Sequence, residues 1–330
     1  MTVLGRDTTE RLRDCADVRG YIEKVCFKTG PPGLVGTELE WLVGFAAEPH
    51  RPVPIPLLQD LVAAAGPLPH DSRLTYEPGG QLELSSQAYR GPTACWLALA
   101  QDAEHLRTAL TPAGVVLLDT AIEPHRPPRR QLSHPRYDAM EAYFHAVADE
   151  QGPVMMTSTA SVQVNLDIGS DQRDARRRWS LLHAVGPTLV AAFANSPVHA
   201  GADTGWKSAR QRVWQRLDRS RTAMPAGPDP AAAWADYSLD ATVMLHQRDG
   251  RDWSVRPGPT FRDWLQEPVP PTAEDLAVHL STLFPPVRPR GWFEVRYLDE
   301  QPWRWWPVPM AVLAALVEDA EAAAVAAAAC

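Results

Sequence analysis

Four short runs carry carboxylate or amide side chains on alternate residues of otherwise apolar, strand-like sequence. They are Gly36-Thr37-Glu38-Leu39-Glu40-Trp41, Glu77-Pro78-Gly79-Gly80-Gln81-Leu82-Glu83-Leu84, Ser161-Val162-Gln163-Val164-Asn165-Leu166 and Trp292-Phe293-Glu294-Val295-Arg296-Tyr297. Successive side chains of a strand point to opposite faces, so Glu38 and Glu40 share one face while Leu39 takes the other. Gln81 with Glu83, Gln163 with Asn165, and Glu294 with Arg296 obey the same parity. Gathered into one sheet, such strands bury their apolar faces and leave a second face crowded with acids. Two carboxylates about 4 Å apart repel by roughly 4 kcal/mol at an effective dielectric near 20. Hard divalent cations with oxygen ligands are the usual means of holding such acids together. The pattern points to a metal-dependent enzyme.

The remaining composition narrows the partners. The balance of 32 Lys+Arg against 40 Asp+Glu gives a net charge of −8, which disfavours nucleic acid or an anionic membrane as the main partner. Small-molecule substrates are expected instead. Cys15, Cys26, Cys95 and Cys330 are widely spaced and form no CxxC pair, which suits reduced thiols in a cytoplasmic protein. The first ten residues lack a signal-peptide core, and no apolar stretch argues for a membrane span. The histidines show no HExxH or HxxxH spacing that would suit zinc, and no GxxxxGK[ST] loop is present. A nucleotide would have to bind through metals and the sheet.

Along the chain, residues 8–27 read as a helix broken by Gly30-Pro31-Pro32-Gly33 ahead of the first acid strand. A short helix is expected over 56–65 and strands near 74–76 and 81–85, joined through Pro78-Gly79-Gly80. Residues 93–110 form an amphipathic helix with Thr93 as its cap, and 115–119 a buried strand. The segment 123–135, with four prolines and several basic residues, reads as an exposed active-site or surface loop. Helices are expected over 137–148, over 174–195 with a kink near Pro187, and from Thr272-Ala273-Glu274-Asp275 to 283. Residues 241–246 read as a strand, and the chain from 308 onward begins as a helix. The Ala-rich stretch from Glu318 to Cys330 reads as an atypical or shortened terminus. Strands separated by unequal helices, without regular βαβ alternation, predict an α+β fold. Residues 1–330 read as a single domain.

At these motifs the sequence resembles the glutamate–cysteine ligase family of the glutamine synthetase-like superfamily. It is most similar to the actinobacterial branch associated with ergothioneine biosynthesis. The resemblance rests on Gly36 to Glu40, Tyr76 to Glu83, Thr159 to Asp167, Ala194-Asn195-Ser196-Pro197, Gly205-Trp206-Lys207-Ser208 and Phe293-Glu294-Val295-Arg296, in that order along the chain. It implies a funnel of mainly antiparallel strands wrapped by helices. It also implies ATP-dependent joining of the γ-carboxyl of L-glutamate to the amine of L-cysteine, with Mg²⁺, or Mn²⁺ in its place, as cofactor. By motif, Glu40, Glu77 and Glu83 would hold one cation near the substrate. Glu38, Gln163 and Glu294 would hold another near the ATP phosphates, with Gln163 standing where some relatives have histidine. Arg296 would contact the transferring phosphate.

The chemistry gives these residues reasons to exist. A carboxylate resists attack by an amine until ATP converts it to an acyl phosphate, and phosphoryl transfer is catalysed mainly by positioning and charge neutralisation. Arg212, Arg219 and Arg221 are the candidates for substrate-carboxylate or acyl-phosphate binding, because arginine offers bidentate contacts; Arg221 is also placed with Arg296 as catalytic. Gln81 and Asn165 join them as substrate-binding residues. Two other readings stand beside the ligase: a related carboxylate–amine ligase with another amine, and a catalytically silent relative that binds ligand.

Overall fold

The computed structural model describes residues 10–330 apart from Asp149 and Arg251. Its centre is an eight-stranded, wholly antiparallel sheet. The strands of this sheet are β1 (Leu34–Phe45), β2 (Arg73–Tyr76), β3 (Leu82–Ser85), β4 (Tyr89–Arg90), β5 (Val115–Leu118) and β6 (Ser161–Asp167), with β9 (Val287–Pro289) and β10 (Trp292–Asp299). A separate hairpin pairs β7 (Val198–His199) with β8 (Ala202–Asp203). Strand order is β2-β3-β1-β6-β10-β9, with β4 and β5 also pairing along the long β1. The four acid-bearing runs therefore supply β3, β1, β6 and β10, which are consecutive neighbours.

Alternation decides which way each strand faces. Leu39, Trp41, Leu82, Leu84, Val162, Val164, Leu166, Phe293 and Val295 all enter one buried apolar cluster. Helices Cys15–Val25, Pro92–Leu110, Gln172–Ala184 and Pro307–Glu318 contribute to the same cluster. Each fully buried side chain of this size is worth about 1.5–3 kcal/mol. A one-residue slip of any of these strands would exchange its apolar set for acids, so the register is firmly held. A second, smaller cluster joins helices Pro135–Val147, Gln151–Ser158 and Ala209–Gln215. It packs on the other face of the sheet, where Trp214 and Phe284 meet the Arg296 side chain.

The mixed helix and antiparallel-sheet architecture matches the α+β expectation, with local corrections. The first helix runs only from Cys15 to Val25 because Asp14 caps it, accepting from the Ala16 and Asp17 amides; residues 8 and 9 of the expected helix lie outside the described part. The cap of the 92–110 helix is Gly91 with Pro92 following, not Thr93. The expected 174–195 helix divides at Gly186 into two, and Pro187 opens the second. Residues 241–246 form only isolated bridges, Thr242 to Thr260 and Leu245 to Ser254. The Thr272–Asp275 capping box forms as read. Helix Pro230–Asp240 was not anticipated. Among the described residues, no helix is long and apolar enough to cross a membrane. All four cysteines are unpaired thiols.

Candidate active site

The register turns four sequence patterns into one patch. Glu40 lies directly opposite Glu83, and Glu38 lies between Ser85 on one side and Gln163 on the other. Asn165 lies opposite Glu294. Glu77 arrives from outside the strands, on a tight turn closed by Gly80 N–H donating to Glu77 C=O (2.8 Å) and Glu77 N–H to Gln81 C=O (2.9 Å). That turn abuts the end of helix Gln151–Ser158 so closely that a Cβ on Gly79 would sit 2.2 Å from the Thr157 carbonyl oxygen. Only glycine fits there.

Neutral donors hold the acids in place. Asn165 Nδ2 donates to Glu38 Oε1 (2.8 Å), Ser161 Oγ to Glu40 Oε2 (2.8 Å) and Gln163 Nε2 to Glu40 Oε1 (2.6 Å). Thr75 and Ser85 hydroxyls both donate to Glu83 Oε1, each at 3.0 Å. Burial, with Glu294 and Glu83 adding repulsion, pushes the Glu38 carboxyl up to about 7. Burial with Glu83 and Glu40 pushes Glu77 up to about 8. Glu40 and Glu83 are raised as well, first by burial; the Arg210 charge partly offsets the rise at Glu40.

Glu294 is the opposite case. It is wholly buried, yet Arg288 Nη2 (2.7 Å) and Arg290 Nη1 (3.0 Å) donate to it, and Arg296 Nη1 donates to the same Oε1 as Arg288. Burial would raise its pKa, but the three guanidinium groups hold it well below the usual carboxylate range. Arg296 also donates to Gln163 Oε1 at 2.6 Å. A bulge between Val295 and Leu298 lets Arg296 stay on the acid face while Tyr297 and Leu298 both turn into the core.

Of the sequence-derived candidates, Glu38, Glu40, Glu77, Glu83, Gln163, Asn165, Glu294 and Arg296 come together here. Four others do not. Arg221 is fully buried elsewhere: it donates to the Thr282 carbonyl and hydroxyl and to the Thr242 carbonyl, pairs with Asp218 at 3.2 Å, and lies over the Tyr143 ring. Its neighbours identify it as a structural tie. Arg219 is exposed. Arg212 stacks on Trp206, 4.8 Å from the ring centroid. Gln81 has parity with Glu83, but its amide is engaged, accepting from Gly79 N–H and donating to the Thr159 carbonyl at 3.1 Å.

The cations that do reach the acids were missed. Arg288 and Arg290 have the same alternation as the acids, and Arg288 sits opposite Glu294 across the β9–β10 pair; that spacing was a usable signal. Arg210 had none beyond its place in a basic run. It is 2% exposed and donates from Nη2 to the Arg296 carbonyl (2.9 Å), while Nε and Nη1 have no hydrogen-bond partner. Asp299 anchors the segments around it, accepting from Ser196 Oγ (2.7 Å), Ser208 Oγ (2.9 Å) and Asn195 N–H (2.8 Å).

Among the described residues, no three His, Cys, Asp or Glu side chains converge in metal-holding geometry. The donor set nonetheless fits a hard cation. Five carboxylates and two amides offer only oxygen donors, four of the carboxylates are raised by burial and like charge, and the buried Asn165 Oδ1 has no partner. Glu294 and Gln163 could ligate only after Arg296 turns from them.

The model of glutamate–cysteine ligase family 2 matches residues 34–330. The chain is 45% identical over 306 residues to glutamate–cysteine ligase EgtA of Mycolicibacterium smegmatis, covering 89% of this chain and 71% of that protein. It is 40% identical over 323 residues to EgtA of Mycobacterium tuberculosis, covering 94% and 74%. A chloroplastic glutamate–cysteine ligase of Brassica juncea is 32% identical over 243 residues, 70% of this chain and 47% of that one. Among solved structures, a Francisella tularensis glutamate–cysteine ligase in complex with AMP aligns with TM-score 0.47 and 13% identity, over 83% of this chain and 62% of that one.

Proposed function

The chain belongs to glutamate–cysteine ligase family 2, and on that premise we propose that it joins the γ-carboxyl of L-glutamate to the amine of L-cysteine with cleavage of ATP to ADP and phosphate. The product, γ-glutamylcysteine, would serve ergothioneine-type thiol metabolism, and residues 1–330 would act as one catalytic unit. The observation that carries the reading is the cross-strand row Glu83, Glu40, Glu38, Gln163, Asn165 and Glu294, with Glu77 set against it.

In the reaction, a γ-carboxylate oxygen bonds to the terminal phosphorus of ATP as the bond to the bridging oxygen breaks and ADP leaves. The amine nitrogen then bonds to the acyl carbon, the carbon–oxygen bond to phosphate breaks, and the amine loses its proton. Glu40, Glu77 and Glu83 would hold one Mg²⁺ or Mn²⁺, and Glu38, Gln163 and Glu294 a second. Bound there, the cations supply charge neutralisation for the phosphates. Arg296, once turned from Glu294, offers its fork to the phosphoryl oxygens, where negative charge concentrates during transfer. Arg210, buried with Nε unpartnered, Nη1 paired with Asp299 at 3.7 Å and its charge felt at Glu40, suits the oxyanion of the tetrahedral intermediate. Asn165 Oδ1 is available to the substrate ammonium or a cation.

The test is ADP release with glutamate plus each of a panel of amines, with products identified by mass. Cysteine should be fastest, and EDTA should abolish turnover. Faster turnover with another amine would favour a related ligase, and no ADP release with any amine a silent relative.

A further inference from the structure

Helix Ala209–Gln215 carries two arginine faces, and only one belongs to the acid row. Arg210 points into the sheet, with Nη2 bonded to the Arg296 carbonyl. Arg212 is two positions on, about 200° around the helix, and Arg216 at its end is four beyond Arg212, back on that second face. The second face opens into a cleft of about 570 Å³ whose walls include Arg212, Arg216, His145, His199 and the apolar Val154 and Val213. His145 comes from helix Pro135–Val147 and His199, whose Nδ1 donates to the Glu123 carbonyl, from β7, so three separate elements line one space. Among the described residues, one acid, Glu150, also lines it. Among the described residues, neither arginine makes an ion pair, whereas Arg288, Arg290 and Arg296 all pair with Glu294 at the acid row. The Arg212 guanidinium carbon lies over the Trp206 ring, 4.8 Å from its centroid, a cation–π contact at the cleft wall.

We propose that this cleft is a second binding site, separate from the acid row, for a small organic anion bearing phosphate or carboxylate groups on a partly apolar body. Two planar guanidinium groups suit such anions bidentately, and Val154 and Val213 accommodate the body. The proposal does not depend on the ligase reading, because none of its residues is needed for the chemistry at the acid row.

The test is isothermal titration of the full chain in EDTA, at pH 7 and low salt, with pyrophosphate as one probe and succinate as the other. At least one should bind saturably at one site per chain, and the one that binds tells whether phosphate or carboxylate is preferred. Arg212→Ala with Arg216→Ala should weaken binding at least tenfold; Arg216→Glu, at an exposed position, serves where the double variant melts early. Arg90→Ala, on the far side of β1, should leave it unchanged. Arg290→Gln, at the acid row, should also leave the probe's affinity unchanged within twofold. Absence of binding by both probes, survival of binding in the double variant and in Arg216→Glu, or loss of binding in Arg290→Gln would each overturn the proposal. The ligase assay reports separately on the acid row.

Discussion

Replacing Glu294 and replacing Glu38 should move stability in opposite directions, although both are glutamates on the acid face. Glu294 is wholly buried and accepts from Arg288, Arg290 and Arg296. Glu294→Gln keeps the shape but leaves three clustered guanidinium groups without their counter-charge. Breaking a buried pair in this way costs about 3–5 kcal/mol. With unfolding entropy near 2.1 cal/mol/K per residue, a chain of 330 residues unfolds with about 0.7 kcal/mol/K, so the melting temperature should fall by about 4–7 °C. Glu38 is instead pushed up to about 7, first by burial and then by Glu294 and Glu83. Its folded pKa lies above its unfolded value, so the penalty is complete above about pH 7 and disappears below the ordinary glutamate range. Glu38→Gln removes that charge and can still accept from Asn165. It should gain about 1–3 kcal/mol at pH 8 without metal, a gain that disappears near pH 4.5. Thermal melts in EDTA at pH 8 and pH 4.5 make the comparison. A Glu294→Gln melt at or above the parent, or a Glu38→Gln melt below it at pH 8, would refute this account of the charges.

His279, stacked on Phe261 and donating from Nε2 to the Ser238 carbonyl, is held down to about 3 by burial and by Arg221. A depressed histidine pKa destabilises the fold as pH falls below about 6.5, by up to about 5 kcal/mol, so His279→Gln should flatten the acid limb of urea midpoints between pH 6.5 and 4. Arg221→Met should lose about 3–5 kcal/mol in chemical denaturation, because Asp218 and two carbonyls lose a partner, yet kcat per folded enzyme should persist. A kcat loss of a hundredfold or more would restore a catalytic role. Gly79→Ala should cost about 1–3 kcal/mol and most of the activity together, since relieving the clash with Thr157 displaces the turn that carries Glu77. Normal activity with normal stability would show that this approach is not needed.

Parity along the chain was enough to put Glu38 with Glu40, and Gln163 with Asn165, on one face, because a strand's side chains have a fixed period of two and the alternate positions are apolar. Local conformational preference located the Pro78-Gly79-Gly80 turn and the Thr272 cap, while the Glu38/Glu40 strand proved longer than its motif, running from Leu34 to Phe45. Register was not legible. That Glu40 faces Glu83 while Glu38 faces Gln163 depends on which strands pair, and pairing is decided by the apolar cluster beneath the whole sheet. The arginines were least legible. Arg210, Arg212, Arg216, Arg219 and Arg221 form one basic run, but short helices turn them in different directions. Arg210 goes to the acid face, Arg212 and Arg216 to the cleft, and Arg221 into a buried tie. The Ala241–His246 run, apolar enough for a strand, found only isolated bridges. A strand requires a neighbour with unmet backbone groups along its length, and only the assembled fold settles whether one is there.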